Sequence, residues 1–293
     1  MVVAFDDQIE IFFGEATPSQ ARVYARLSRG AWPTDAKLHG TISGPTCLYA
    51  QTLPSTYRFS DRGPGDSFVA EATVPDPCFW TPQLPYLYQI EIRVQRVNEV
   101  LAEASQPFGI RPLGVRGKSL IYAGKRCVLR GGLVKNSPAL NMEDWHNSEA
   151  AMLFDKAPAD DVLTIASRLG VMVIVGPIYD ITTLRRLARH AAVGLVIRSV
   201  HTASNRSWSA SVPNLPIAGI GMEAVDFIAQ EAKVVVTPSD DGARIGRLAS
   251  LFKGPIIAIR LREAFEDPIA VRQMCDQMQR DLAPYGDFAG YIA

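Results

Sequence analysis

The chain has 293 residues, 47% of them hydrophobic, and its 30 Lys and Arg balance 30 Asp and Glu. A neutral total without long basic runs argues against nucleic acid as a partner. No apolar run approaches the roughly 20 residues that a membrane-spanning helix needs, so no membrane partner is expected either. The length favours two domains.

The first residues, Met1–Asp7, lack the charged region and the long apolar region of a secretory signal. That favours a cytoplasmic location, although a chain whose export leader had been removed would begin in the same way.

The four cysteines are Cys47, Cys78, Cys127 and Cys275. Their spacing fits no zinc pattern and no Cys-x-x-Cys pair, and no phosphate-binding or dinucleotide-binding loop is present, so we expect no metal and no cofactor. We interpret the cysteines as small buried side chains. A Cys47–Cys78 bridge stays open if the protein is secreted.

The first 113 residues predict a β-sandwich. Short segments alternate between apolar and polar residues and are separated by Gly- and Pro-containing turns. Tyr88, Ile90, Ile92 and Val94, for example, alternate with polar neighbours. The predicted strands are Ile9–Glu15, Ala21–Leu27, Lys37–Ile42, Thr56–Ser60, Ser67–Val74, Leu87–Gln95 and Val100–Gln106.

Residues 114–293 predict an α/β domain. Ala123-Gly124-Lys125 reads as a tight turn, with the glycine supplying a positive φ. Beyond it, helices alternate with short apolar strands, which is typical of a parallel sheet covered by helices. The predicted strands are Cys127–Leu133, Val171–Val175, Leu195–Val200, Pro216–Gly221, Val234–Thr237, Pro255–Leu261 and Phe288–Ile292.

Three sequence phrases follow one another around the domain boundary: Phe79–Tyr88 with its Trp80, Phe108–Arg111, and Gly124–Gly131. Together they resemble glycoside hydrolase family 2, the β-galactosidase and β-glucuronidase family, although Ala123 stands in place of the family's usual Asn. All three are structural phrases, and they carry no chemistry.

The resemblance implies an immunoglobulin-like sandwich (residues 1–113) followed by a (β/α) barrel (residues 114–293). A barrel of this kind usually takes about 250 residues, so we expect it to be shortened and distorted. With seven strands predicted and only Asn141–Ala159 available for the second β/α unit, we expect one such unit to be missing or eroded. An open parallel α/β sheet is the alternative.

A retaining glycosidase of this family needs two carboxyl groups about 5–5.5 Å apart. The resemblance puts the acid/base Glu in an Asn-Glu pair after the fourth strand. Asn205 aligns with that Asn, and Arg206 aligns with the Glu. A guanidinium does not deliver a proton near neutral pH. Glu263, after a late strand, is the candidate for the nucleophile.

Other candidates lie at strand ends and in loops. Asp180 and Asp240 follow predicted strands, where catalytic carboxylates lie in parallel sheets. We favour helix capping for the pair Asp240 and Asp241. His201 follows a strand, and Trp145 and Trp208 offer aromatic faces to a sugar or, alternatively, plug the barrel ends.

We therefore predict a family 2-like protein that has lost catalysis and binds carbohydrate or a protein. The first alternative is an active glycosidase with relocated carboxylates. The second is a non-catalytic oligomerisation or interaction module.

Overall fold

The computed structural model describes residues 3–4, 8–30, 32–63, 65–97, 99–135, 140–199, 212–220, 233–261 and 264–293. The chain forms two compact units. One comprises residues 1–111 with 188–191, and the other comprises residues 112–187 with 192–293.

The first unit is an antiparallel sandwich, as predicted. Its eight strands form a continuous sheet in the order β1-β8-β7-β4-β5-β6-β3-β2, and only β1 pairs in parallel, with β8. The strands are β1 Val3–Ala4, β2 Ile9–Ala16, β3 Gln20–Ser28, β4 Lys37–Thr46, β5 Ser55–Asp61, β6 Ser67–Pro75, β7 Leu87–Arg96 and β8 Glu99–Phe108.

The alternating pattern in the sequence explains the core of the sandwich. The predicted inward side of β7, from Tyr88 to Val94, is buried residue by residue, and its polar neighbours face outward. Val23 and Leu27 of β3 join the same apolar cluster. Burying each large aliphatic side chain is worth about 1.5–3 kcal/mol, so this alternation fixes the register of the strands.

The second unit begins with a small antiparallel sheet of β9 Leu113–Arg116, β10 Ser119–Tyr122 and β11 Lys125–Cys127. Tyr122 pairs with Lys125 across a two-residue turn. Gly124 has φ +80° there, which confirms the predicted turn.

A closed barrel of eight parallel strands makes up the rest of this unit. The strands are β12 Leu129–Leu133, β13 Ala151–Phe154, β14 Val173–Val175, β15 Val193–Ser199, β16 Ile217–Ile220, β17 Val234–Pro238, β18 Ile256–Ile259 and β19 Gly290–Ile292. The described helices are α1 Met142–Asn147, α2 Asp160–Leu169, α3 Ile181–Ala188, α4 Gly242–Leu251 and α5 Pro268–Leu282, followed by a 3₁₀ turn at Ala283–Tyr285.

The expected barrel is confirmed, and the alternative of an open sheet is wrong, because β19 pairs with β12 and closes the ring. The second β/α unit is short and not missing, because α1 has 6 residues and β13 has 4, and both lie within Asn141–Ala159. β13 is only Ala-Met-Leu-Phe and is buried along its whole length. So short an apolar run has no period that identifies a strand.

The sequence also predicts a helix over Met222–Ala232, and these residues lie outside the described ones. Among the residues that are described, none of the helices is both long enough and apolar enough to cross a lipid bilayer.

Candidate functional site

In a closed parallel barrel, the carboxyl ends of the strands and the loops after them carry the chemistry. The loops after β14, β17 and β18 are among the described residues at this end. Each is held by backbone hydrogen bonds to a neighbouring strand. Ile178 N donates to Ile197 O at 3.0 Å, and Ser239 N donates to Ile259 O at 3.0 Å. These hydrogen bonds fix the backbone at the start of each loop and therefore the positions of the polar residues that follow.

Asp180 follows β14 and caps helix α3. Its carboxylate accepts a hydrogen bond from Thr183 N at 2.6 Å. This backbone donor is the main reason why the pKa of Asp180 lies below its ordinary value, and the charge of Arg186 adds to the effect. The Asp180 carboxylate is therefore ionised at neutral pH and already holds a structural hydrogen bond.

Arg198 is the charged residue next to the end of β15. It is only 4% exposed, and its Nη2 donates to Tyr179 O at 3.2 Å. Burial lowers the pKa of this guanidinium, but an arginine still keeps its charge in proteins. The fourth strand of the barrel thus ends with a buried cation.

Asp240 follows β17 and lies beside Arg260, the residue after β18. Arg260 Nε is 3.6 Å from Asp240 Oδ1, and Arg260 Nη1 is 3.6 Å from Asp281 Oδ2. The Asp240 side chain is 73% exposed, so the pair is worth little in stability. Asp241 caps α4 by accepting from Arg244 N at 3.1 Å, as predicted for this pair of carboxylates.

Ser239 and Phe265 complete the described strand ends. Ser239 is 2% exposed, and its Oγ has no hydrogen-bond partner among the described residues. Phe265 N donates to Leu133 O at 2.7 Å, which ties the segment after β18 to the end of β12.

Trp145 lies on α1 and is 1% exposed. It packs inside the second unit, where a sugar could not reach its ring. The remaining predicted site residues, Glu263, His201, Asn205 and Trp208, lie outside the described residues.

The structure does not bring Asp180 and Asp240 to adjacent strands. They follow the third and the sixth strands of the barrel, with β15 and β16 between them. Within the described ranges, no three His, Cys, Asp or Glu side chains are grouped so that they could hold a metal ion.

Sequence reasoning missed Arg198, Ser239 and Arg260 as residues of the strand ends. A signal was present for Arg198, since it is the one charged residue within the apolar segment Val193–Ser199. Ser239 carries no such signal, because serine is common in loops.

The outer face of the sandwich carries two grooves of about 300 and 260 Å³ that share Glu91 and Arg93. Arg93 Nε lies 2.8 Å from Glu103 Oε1. Glu91, Arg93 and Glu103 give the first groove one excess negative charge, and Arg58, Glu91 and Arg93 give the second one excess positive charge.

Residues 15–111 match the sequence model of the glycosyl hydrolases family 2. A β-galactosidase of Oenococcus oeni is 34% identical over 79 residues, which are 26% of this chain and 8% of that protein. The β-galactosidase large subunit of Latilactobacillus sakei is 32% identical over 68 residues, which are 23% of this chain and 10% of that protein. The matches therefore span only a small part of these relatives.

Solved structures resemble nearly the whole chain. A family 2 glycosyl hydrolase from Bacteroides cellulosilyticus has a TM-score of 0.67 at 14% identity and covers 98% of this chain and 43% of its own. A β-glucuronidase from Ruminococcus gnavus has a TM-score of 0.63 at 13% identity, with coverages of 98% and 60%. The predicted resemblance to this family, with a sandwich followed by a barrel, is confirmed.

Proposed function

We propose that this chain is a relative of the family 2 glycosidases that does not hydrolyse glycosides and keeps a binding role for carbohydrate. The proposal rests on the sequence resemblance, which implies that Arg206 occupies the position of the family's acid/base Glu. β15 is the fourth strand of the barrel, so Arg206 belongs to the segment after the strand where the family has that Glu. A guanidinium stays protonated and does not act as a general acid.

The roles of the described carboxylates support the same proposal. A retaining mechanism needs two carboxyl groups about 5–5.5 Å apart. Asp180 and Asp241 cap helices, and Asp240 lies beside Arg260. Each of these carboxylates has a local structural partner, and neither Asp180 nor Asp240 lies on a strand next to the other's.

The proposed ligand is a β-glycoside, because the similar proteins are named as β-galactosidases and β-glucuronidases. We assign its contacts to the segment after β15, where His201 and Asn205 offer hydrogen bonds and Trp208 offers an aromatic face. Trp145 is left out of this assignment because it is buried. Alternatively, the same end of the barrel binds a protein instead of a carbohydrate.

Calorimetric titration with non-hydrolysable thio-β-galactosides and thio-β-glucuronides tests this assignment. We expect binding to one of them and a roughly two- to tenfold loss of affinity in Trp208→Ala, since aromatic contacts are worth about 0.5–1.5 kcal/mol. Tyr49→Ala is the matched control, because Tyr49 is an exposed aromatic residue of the other unit and its loss should leave affinity unchanged. Equal affinity in the wild type and Trp208→Ala would contradict the assignment.

The alternative of an active glycosidase rests on Glu263, which follows the late strand β18. In that case Glu263 would act with Asp180 or Asp240 as relocated carboxylates. It predicts turnover that Glu263→Gln abolishes. The alternative of a pure interaction module predicts neither turnover nor affinity for any glycoside.

A further inference from the structure

Two of the four cysteines lie at the same end of the sandwich. Cys47 directly follows Thr46, which pairs with Leu87 at the start of β7. Cys78 lies between β6 and β7, and its backbone N–H donates to the hydroxyl of Tyr88 at 2.9 Å. Leu87 and Tyr88 are the first two residues of β7, so both cysteines lie near the start of this strand.

The loop after Cys47 folds back onto Cys78. The side chain of Thr52 in this loop forms a hydrogen bond with the Cys78 thiol. Burial raises the pKa of Cys78, and a negative charge on Cys47 raises it further. The pKa of the Tyr86 phenol is also raised, first by burial and then by charges on both thiols. Thr52 is five residues after Cys47, so its hydrogen bond to the Cys78 thiol places the loop that begins at Cys47 beside Cys78.

Both thiols are free and partly exposed. We infer that Cys47 and Cys78 form a redox pair that closes to an intramolecular disulfide by exchange with a small-molecule disulfide such as oxidised glutathione. The proposed carbohydrate binding does not require this pair, so the two proposals are independent of each other.

The exchange takes two steps, in which one thiolate acts and then the other. The Cys47 thiolate attacks one sulfur of oxidised glutathione, forms a mixed disulfide and releases one glutathione thiolate. The Cys78 thiolate then attacks the Cys47 sulfur and displaces the second glutathione. The two protein thiols lose two electrons, glutathione disulfide gains them, and the two thiol protons pass to the two glutathione molecules that leave.

The bridge would close a loop of about 30 residues and so restrict the unfolded chain. It would also tie down the exposed loop after β4, in which Leu48 is 57%, Tyr49 45% and Leu53 89% exposed. We therefore expect oxidation to raise the melting temperature and to slow protease cleavage within residues 48–54.

The other two cysteines serve as internal comparisons. Cys275 is buried, its Sγ donates to Gly131 O and Tyr291 O at 3.4 and 3.3 Å, and burial raises its pKa to about 11. Burial also raises the pKa of Cys127. Both belong to the second unit, and we expect them to stay reduced under conditions that oxidise the pair.

The test is peptide mapping of the native protein without reduction, after incubation with oxidised glutathione and alkylation of the remaining thiols. The expected result is a peptide pair joined through Cys47 and Cys78, with Cys127 and Cys275 still reduced. In Cys78→Ser, we expect a mixed glutathione disulfide that persists on Cys47.

Two results would overturn the inference. One is stable glutathione adducts on both thiols without a linked peptide, because the two sulfurs would then be unable to meet. The other is linkage found only between two chains. Mapping of the wild type decides the question even if the serine variant fails to fold.

Discussion

At the scale of single residues, the turn between β10 and β11 carries an alanine where the backbone conformation favours asparagine or glycine. Ala123 has φ +46° and Gly124 has φ +80°. Both central residues of a two-residue hairpin of this kind need positive φ, which Asn-Gly meets best. Alanine is strained at that position, since its Cβ disfavours the left-handed region.

Replacing Ala123 by Asn should therefore stabilise the second unit by about 0.5–1 kcal/mol. Gly124→Ala is the opposite change and should cost about 1 kcal/mol. No atom lies within 4 Å of the added Cβ at Gly124, so that cost is purely conformational. Urea unfolding of the two variants measures both effects, and a destabilised Ala123→Asn would contradict this account of the turn.

Asp180 lies after strand β14 because its carboxylate caps helix α3. Its oxygen accepts from Thr183 N in the first turn of α3. The folded state lowers its pKa, so this group adds stability above its ordinary pKa of about 3.9. That stability is lost as the pH falls and the carboxylate is protonated.

Asp180→Ala should destabilise the protein by about 1 kcal/mol at neutral pH, because it removes a helix cap. Asp180→Asn should cost much less, since asparagine also caps helices. The difference in stability between the wild type and Asp180→Ala should shrink as the pH drops below about 4. Thermal unfolding at pH 7 and pH 3 checks this, and an equal difference at both values would contradict it.

At the scale of elements, the family-like phrases before the barrel are explained by contacts with one another. Trp80 N donates to Ile110 O at 2.9 Å, and Arg111 Nη1 donates to Ala191 O at 2.5 Å. Trp80 is fully buried. A Cβ added at Gly109 would lie 2.6 Å from the Cβ of Ala191 and 3.0 Å from that of Trp80. The phrase Phe108–Arg111 therefore needs its glycine for close packing.

Gly109→Ala should destabilise the sandwich by about 1–3 kcal/mol through overpacking. Gly114→Ala is the matched control in a neighbouring strand, where an added Cβ meets nothing within 4 Å. We expect this control to be neutral or slightly stabilising. Denaturant unfolding followed by tryptophan fluorescence compares the two variants, and equal midpoints would contradict the packing argument.

The elements that could be predicted are those with a clear period or a cap. β7 was predicted from its alternation, and the start of α4 from the carboxylates at Asp240 and Asp241. β13 could not be found, because a fully buried run of four apolar residues has neither period nor length. Because β13 has no such signal, the sequence predicts seven barrel strands and the structure has eight.

At the scale of the whole molecule, the order of a sandwich and a barrel could be predicted, and closure could not. Closure depends on pairing between β19 and β12, which are far apart in sequence and carry no joint signal. The candidate site is less predictable still. Ser239 becomes notable only when its burial after β17 is seen.

The central claim is the lack of proton donation to a leaving sugar. Removing a general acid typically costs 10²–10⁴-fold in rate, so even an intact nucleophile at Glu263 would leave little turnover.

The most direct measurement is release of free sugar from methyl β-galactoside and methyl β-glucuronide at neutral pH, because their methoxide leaving group needs a proton from a general acid. The wild type, Glu263→Gln and the matched control Glu266→Gln are compared, since Glu266 is an exposed carboxylate three residues further on. We predict that none of the three exceeds the rate in buffer. Turnover by the wild type and Glu266→Gln that is lost in Glu263→Gln would contradict the account.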